Sequence, residues 1–376
     1  MPFAREAFAT LGETTLLDGR HFAPDDLRGV DALFVRSTTK VNAALLGKAD
    51  RLRFVGSAVI GTDHVDLPLL AQRGIAFASA AGCNVESVAQ YITTAMLFLA
   101  RRYGFRLRGK NMGIVGAGNV GKRVIQHARA LGLEVLICDP PRQRDPDDFD
   151  ARGFFPLAEV LARADILSLH VPLNKNPVDP DCTQHLLNAE NLPLLKPDVL
   201  LINAARGLVV DAGALIARLY ARPKTLCVLD TWANEPLCDP MLASRVHIAT
   251  PHIAGHSIEG KVNGTRLVYC AACRFFDVAP TFDFSLPPPP RPLLQADAAR
   301  YADPEVLWHD LALATHDLRA DDAAFRASLQ ASEPGKAFDL LRSSYNSRRE
   351  FSAYRAVIAN GGVELNEVLR GLGFQT

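Results

Sequence analysis

Arg206, Glu235 and His252 are the residues of this chain best suited to do chemistry together, because each follows an apolar run that reads as a β-strand: VLLINAA, LCVLDTWAN and VHIATP. In an open α/β sheet, ligands lie outside the carboxyl ends of the strands, so three such residues point to one shared site. A guanidinium can clamp a carboxylate, an imidazole can exchange the proton of a hydroxyl or carbonyl oxygen, and a neighbouring carboxylate can orient that imidazole. This is acid/base chemistry on a 2-hydroxy or 2-oxo acid. Taken singly, an arginine after a strand is an ordinary surface ion pair and a glutamate an ordinary solvated group. Their joint weight comes from a motif upstream.

Residues Asn111 to Asp139 read as a dinucleotide-binding βαβ unit. The apolar stretch MGIV runs into Gly116-Ala117-Gly118-Asn119-Val120-Gly121, and Val120, Val124, Ile125, Ala128 and Leu131 then recur at helical spacing. The first glycine makes a tight turn, the second lets backbone approach a pyrophosphate, and the third packs helix on strand. The phosphates then meet the amide groups of the helix start. The following strand, EVLIC, ends at Asp139, close to the ~20-residue spacing of a ribose-binding carboxylate. A carboxylate there accepts hydrogen bonds from ribose hydroxyls and repels a 2′-phosphate, so the expected cofactor is NAD rather than NADP. Arg142 and Arg144, just beyond, read as solvated loop charges.

These groups need a scaffold, and the chain supplies one. Strand-like runs (LFVRS, LRFVGSAV, ADILSLHVP, DVLLINAA, LCVLDTW, VHIATP) alternate with helical stretches (NAALLGKA, LPLLAQRG, Val85 to Tyr103, AGALIARLYA), which predicts a doubly wound, mainly parallel sheet. At 376 residues two or three domains are expected. The run SLPPPPRP from Ser285 can join neither sheet nor helix, so it marks a boundary before a small separate unit.

Composition narrows the class. The 41 basic and 41 acidic side chains cancel, leaving no field to draw the protein to nucleic acid or to an acidic membrane. No apolar stretch reaches the ~20 residues of a membrane span, and the start, MPFAREAF, lacks the form of a signal peptide. Seven scattered cysteines suit a reducing cytoplasm. Cys270 and Cys273 form a CxxC without a second pair, and no HExxH surrounds His252 and His256, so no metal is expected.

With these residues in order, the chain resembles the D-2-hydroxyacid dehydrogenase superfamily. The resemblance is carried by RSTTKVN, FVGSAVIGTDHVD, AGCNVESVAQY, GIVGAGNVG, CDPPR, LINAARGLVVD and ATPHIAGHSIEGK, and after the prolines by DLRADDAAFR and YNSRRE. It implies a Rossmann cofactor domain (residues 83–253) inserted into a flavodoxin-like substrate domain (1–82, returning over 254–284). A small α+β domain (285–376) would form a homodimer, and the cleft would close on substrate. It further implies that His252 takes the C2 hydroxyl proton while hydride passes to the nicotinamide, that Glu235 holds the imidazole, and that Arg206 binds the substrate carboxylate. Val171, Ala204, Ala205, Arg206, Asp230 and Gly255 would line the cofactor with Gly116, Gly118, Asn119, Val120, Gly121 and Asp139. Ser37 would touch substrate, with Arg36 and Lys40 beside a phosphate, and Asp63 and His64 would fix their loop. RSTTKVN and the tail favour a phosphorylated four-carbon 2-hydroxy acid.

Departures from the family pattern are specific. Val59 stands where the family has threonine facing substrate, His256 where it has a tyrosine contact, and Trp232-Ala233 where it has tryptophan-glutamate. Family members also begin with a short central strand, so the native protein is expected to carry roughly one strand more, about five to eight residues. Two other readings stay open. One is a relative acting on glyoxylate, hydroxypyruvate, D-lactate or 3-phosphoglycerate, and the other is a dinucleotide-sensing corepressor of the same fold.

Overall fold

The apolar runs Phe54–Ser57, Ile166–Leu169, Leu200–Asn203, Leu226–Leu229 and Ile248–Ala249 are buried at every residue, as a parallel sheet covered by helices requires. The computed structural model describes residues 1–19, 22–345 and 348–376; within the stretch YNSRRE, Asn346 and Ser347 lie outside them. The chain divides into two units: Met1–Val85 with Ser257–Pro287, and Glu86–His256 with Pro288–Thr376.

The first unit holds a parallel sheet of β1 (Ala32–Val35), β2 (Phe54–Ser57) and β3 (Ala76–Ser79), in the order β1-β2-β3. β2 is buried throughout and lies between the other two. The helix Ile258–Phe275, capped by Ser257 accepting the Gly260 N–H at 2.8 Å, packs on it so closely that a Cβ on Gly264 would meet the Ala58 carbonyl oxygen at 2.6 Å. LPLLAQRG forms the helix Leu67–Gln72, started by Asp66, whereas NAALLGKA yields only a 3-10 turn, Leu45–Lys48. That segment buries Leu46 alone, too little apolar surface to extend a helix.

The second unit carries six parallel strands: β4 (Asn111–Val115), β5 (Glu134–Cys138), β6 (Ile166–Leu169), β7 (Leu200–Asn203), β8 (Leu226–Leu229) and β9 (Ile248–Ala249). Their order is β5-β4-β6-β7-β8-β9. The chain runs outward from β4 to β5 and then returns to β6 on the other side, so strand order reverses at β4. Because all six run the same way, the loops after them share one edge. That edge carries Gly116, Asp139, Val171, Ala204 to Arg206, Asp230 and His252.

The residues from Pro288 onward belong to this second unit. They form a two-stranded parallel sheet of β10 (Leu293–Asp297) and β11 (Arg355–Ala359), with helices Pro304–Thr315, Leu318–Ser328, Pro334–Ser343 and Val363–Gly371. Two strands cannot bury four helices. Trp308, Phe351 and Leu369 instead share a core with Ile114 and Ile202 of the large sheet, and the Glu305 carboxylate accepts the N–H groups of Leu107 and Arg108.

One buried charge cluster beneath the dinucleotide motif makes stability depend on acidity. Glu86 pairs with Arg123, and His127 Nε2 lies 3.3 Å from Glu86 Oε1 while its Nδ1 lies 2.9 Å from Thr93 Oγ1. Burial pushes the Glu86 carboxyl up, but His127 and Arg123 outweigh it and hold it at about 2. Burial pushes the His127 imidazole down despite Glu86. Both folded-state values lie below the ordinary ones of 4.5 and 6.5, so both contributions are present above those values and lost as pH falls through the folded ones. The melting temperature should decline below pH 6.5, most steeply from 4.5 towards about 2. Glu86→Gln should flatten the lower part, removing on the order of 2–3 kcal/mol. A melting temperature unchanged between about pH 7 and pH 4 would contradict this.

Candidate active site

His252 and Glu235 meet at the sheet edge: His252 Nδ1 lies 2.8 Å from Glu235 Oε2. The side chains are 32% and 22% exposed, buried enough to strengthen the pair and open enough to meet a ligand. Glu235 Oε1 accepts the Trp232 N–H at 2.9 Å, so the carboxylate is held at both oxygens. Burial pushes the Glu235 carboxyl up, but the His252 charge and hydrogen bond and the Trp232 amide outweigh it and keep it below its ordinary value. The carboxylate is therefore ionised at neutral pH, and the Nδ1 proton of a neutral imidazole goes to it. Nε2 is left as the proton acceptor.

Backbone geometry holds the histidine. His252 has φ 57°, a left-handed conformation uncommon for a residue with a side chain. Its N–H donates to the Asp230 carbonyl at 2.7 Å, and the Asp230 carboxylate accepts Ile253 N–H at 2.8 Å, Ala254 N–H at 2.9 Å and Thr250 Oγ1–H at 2.6 Å. With the Thr250 proton committed to Asp230, the Tyr91 hydroxyl must donate to Thr250 Oγ1, 2.6 Å away. Asp230 is fully buried, and burial pushes its carboxyl up despite the donors around it.

Arg206 follows β7 on a loop that Asn203 organises, its Oδ1 accepting Ala205 N–H at 3.1 Å and its Nδ2–H donating to Arg206 O at 2.9 Å. The next residue, Gly207, is a functional position that the sequence reading did not single out. A Cβ there would lie 2.0 Å from the Trp232 carbonyl carbon and 2.4 Å from the Ala233 nitrogen. The Arg206 loop thus rests directly on the backbone of the Glu235 loop. Ala205 is buried and Ala204 half-buried at the same strand end.

The glycine motif joins β4 to the helix Asn119–Ala130 in the strand-turn-helix its spacing predicts. Gly116 has φ 92°, and a Cβ on it would strike the His170 carbonyl carbon at 2.8 Å and Val171 Cγ1 at 3.0 Å. A Cβ on Gly121 would sit 2.0 Å from the Gly116 oxygen, whereas one on Gly118 would meet nothing within 4 Å. Gly118 therefore marks open space, where phosphate oxygens could approach the start of the helix Asn119–Ala130, whose first residues are Asn119 and Val120. Asp139, ending β5, accepts Ala117 N–H at 2.7 Å. Arg142 differs from the expected solvated charge: it donates to Asp148 and to the Ala117 carbonyl, so its charge is already matched beside Asp139. Arg144 pairs with Asp181.

The remaining expected site residues are spread over the two units. His256 and Gly255 are half-buried in the second, the His256 ring 6.2 Å from that of Tyr345. In the first, half-buried Arg36 and exposed Ser37 follow β1, exposed Lys40 lies further along the same loop, and half-buried Val59 follows β2. His64 fixes its loop through Nε2, 3.0 Å from Ser57 Oγ. Lys261, also not singled out from sequence, is pushed down to about 8 by burial and by Arg36. Among the described residues no cluster of His, Cys, Asp and Glu is arranged to hold a metal, and no helix is long and apolar enough to cross a membrane.

Residues 82–254 match the family model of the D-isomer specific 2-hydroxyacid dehydrogenase, NAD binding domain, and residues 286–373 match a domain of unknown function. The chain is 44% identical to the erythronate-4-phosphate dehydrogenase of Azotobacter vinelandii, over 99% of this chain and 97% of the relative. It is 43% identical to that of Chromohalobacter salexigens, over 100% and 96%. Among solved structures, the D-lactate dehydrogenase of Aquifex aeolicus complexed with NAD and lactic acid is similar at a TM-score of 0.57 and 26% identity, covering 73% of this chain and 92% of that one.

Proposed function

The chain belongs to the erythronate-4-phosphate dehydrogenases, among the D-isomer specific 2-hydroxyacid dehydrogenases, and from that premise we propose that it oxidises the C2 hydroxyl of 4-phospho-D-erythronate. The product is 3-hydroxy-2-oxo-4-phosphooxybutanoate, on the route to pyridoxal 5′-phosphate. The contact between His252 and Glu235 at 2.8 Å carries this reading, because it leaves one ring nitrogen to accept a proton on the same strand-end edge of the sheet that carries the glycine turn.

Bound NAD would supply the hydride acceptor for C2. His252 Nε2 takes the hydroxyl proton as the C2–O bond becomes a carbonyl, and Glu235 stabilises the imidazolium that forms. Arg206 binds the substrate carboxylate and draws electron density towards the forming carbonyl oxygen. Gly116, Gly118, Asn119, Val120 and Gly121 would receive the pyrophosphate and Asp139 the adenosine ribose. Val171, Ala204, Ala205, Asp230 and Gly255 complete the cofactor wall. Arg36, Ser37, Val59 and His256 are assigned to substrate, and the adjacent cations Arg36 and Lys261 suit a doubly charged phosphate. The protein works as a cytoplasmic homodimer, its association mediated by residues 285–376 through an isologous interface.

Assays of 4-phosphoerythronate, D-lactate, D-glycerate and 3-phosphoglycerate with NAD test the substrate. The phosphorylated four-carbon acid should have the highest kcat/KM, by roughly tenfold or more, the worth of one charged contact. Preference for an unphosphorylated acid would reject the substrate and keep the reaction class.

A further inference from the structure

Arg348 lies beyond the proline run, yet its guanidinium reaches the loop that carries His252. Its Nη1–H donates to the Ala254 carbonyl at 3.0 Å, and its Nη2–H to the carbonyl of Ser87 near the start of the helix Val85–Tyr103. The residue is 3% exposed. On the other side, Asp230 takes the N–H groups of Ile253 and Ala254. Ala254 is therefore gripped at its nitrogen by a carboxylate and at its oxygen by a guanidinium.

The grip matters because His252 sits at φ 57°. A left-handed residue with a side chain is strained and persists only where its surroundings over-determine it. Other tail residues brace the strand that leads into this loop. Asp322 Oδ1 accepts the Ala249 N–H at 2.7 Å, and Phe325 packs 5.0 Å from Trp232, whose Nε1–H donates to the Thr250 carbonyl at 2.9 Å.

We propose that Arg348 is a positioning residue for the oxidation. It touches neither substrate nor cofactor. It acts through the Ala254 carbonyl, holding the loop so that His252 keeps its contact with Glu235 and presents Nε2 to the substrate hydroxyl. The tail after the prolines is then part of the catalytic architecture of its own subunit, besides any role in association. This rests on the dehydrogenase reading of the site.

The test compares the full-length protein with Arg348→Met and Arg348→Lys by steady-state kinetics, NAD titration and amide hydrogen exchange. Arg348→Met should lower kcat on the order of ten- to hundredfold, the size of effect that a displaced catalytic group produces. Its NAD affinity should stay within roughly threefold, and exchange should rise in the peptide spanning Ala249 to His256. Arg348→Lys, which can still donate to one carbonyl, should recover part of the lost turnover, and it carries the test if the methionine variant does not fold. Wild-type kcat and loop exchange in both variants would overturn the proposal. So would a parallel loss of turnover, NAD affinity and protection across the whole chain, the mark of a merely structural residue. If the unsubstituted protein oxidises no 2-hydroxy acid, the dehydrogenase reading falls. Loop exchange then decides separately whether Arg348 holds the loop.

Discussion

His252→Gln is expected to lower kcat by ~10²-fold or more, the usual size of an acid/base contribution, while NAD affinity changes little. A glutamine amide can keep a hydrogen bond to Glu235, but it has no lone pair basic enough to take the hydroxyl proton. The cofactor cradle lies after β4 and β5, whereas His252 follows β9 at the other end of the sheet order, so the two losses should separate. Glutamine must also adopt the left-handed backbone at this position. A melting temperature measured alongside the kinetics shows whether strain, rather than chemistry, lowers activity. Retention of turnover within about threefold would mean that another group accepts the proton, and the role given to the imidazole would be abandoned.

Gly207→Ala should be nearly as damaging, for a different reason. The added methyl would lie 2.0 Å from the Trp232 carbonyl carbon and 2.2 Å from its oxygen, contacts with backbone that no rotamer change can relieve. Either the Arg206 loop or the Trp232 to Glu235 loop must move. A displacement near 1 Å at a catalytic group costs on the order of 10²-fold in turnover, and overpacking a close backbone contact costs about 1–3 kcal/mol of stability. The expected result is therefore a large fall in kcat/KM with a moderate fall in melting temperature. Because Arg206 is assigned to the substrate carboxylate, KM for the acid should rise while KM for NAD stays nearly constant. An alanine variant with wild-type kinetics would show that the two loops move independently.

The candidate site was legible in sequence to the extent that it is local. Gly116, Gly118 and Gly121 sit at the spacing that a strand-turn-helix imposes, and the structure shows a left-handed turn at Gly116 and a close backbone approach at Gly121. The runs ending at Arg206, Asp230 and His252 read as strands because a parallel strand covered on both faces must be apolar throughout. β6, β7 and β8 are buried at every residue. Less local features were missed. β3 is AFAS, three small residues around Phe77 with no β-branched side chain, and it exists because β2 offers it a partner. Arg142 looked like a solvated charge because nothing along the chain reveals that the Ala117 carbonyl will lie against it.

The sequence by itself determined the class of chemistry, the cofactor motif and the alternation of strand and helix, since each follows from residue type at short spacing. Only the tertiary structure decided how the reactive groups are held. His252 is fixed by Asp230 beneath it and by Arg348 from the far end of the chain, Gly207 must lack a side chain because Trp232 backbone occupies its place, and the tail shares the core of the cofactor sheet. Such contacts join residues remote in sequence. Their hydrogen bonds and steric limits arise only once the core has closed, and no local pattern of side chains encodes them.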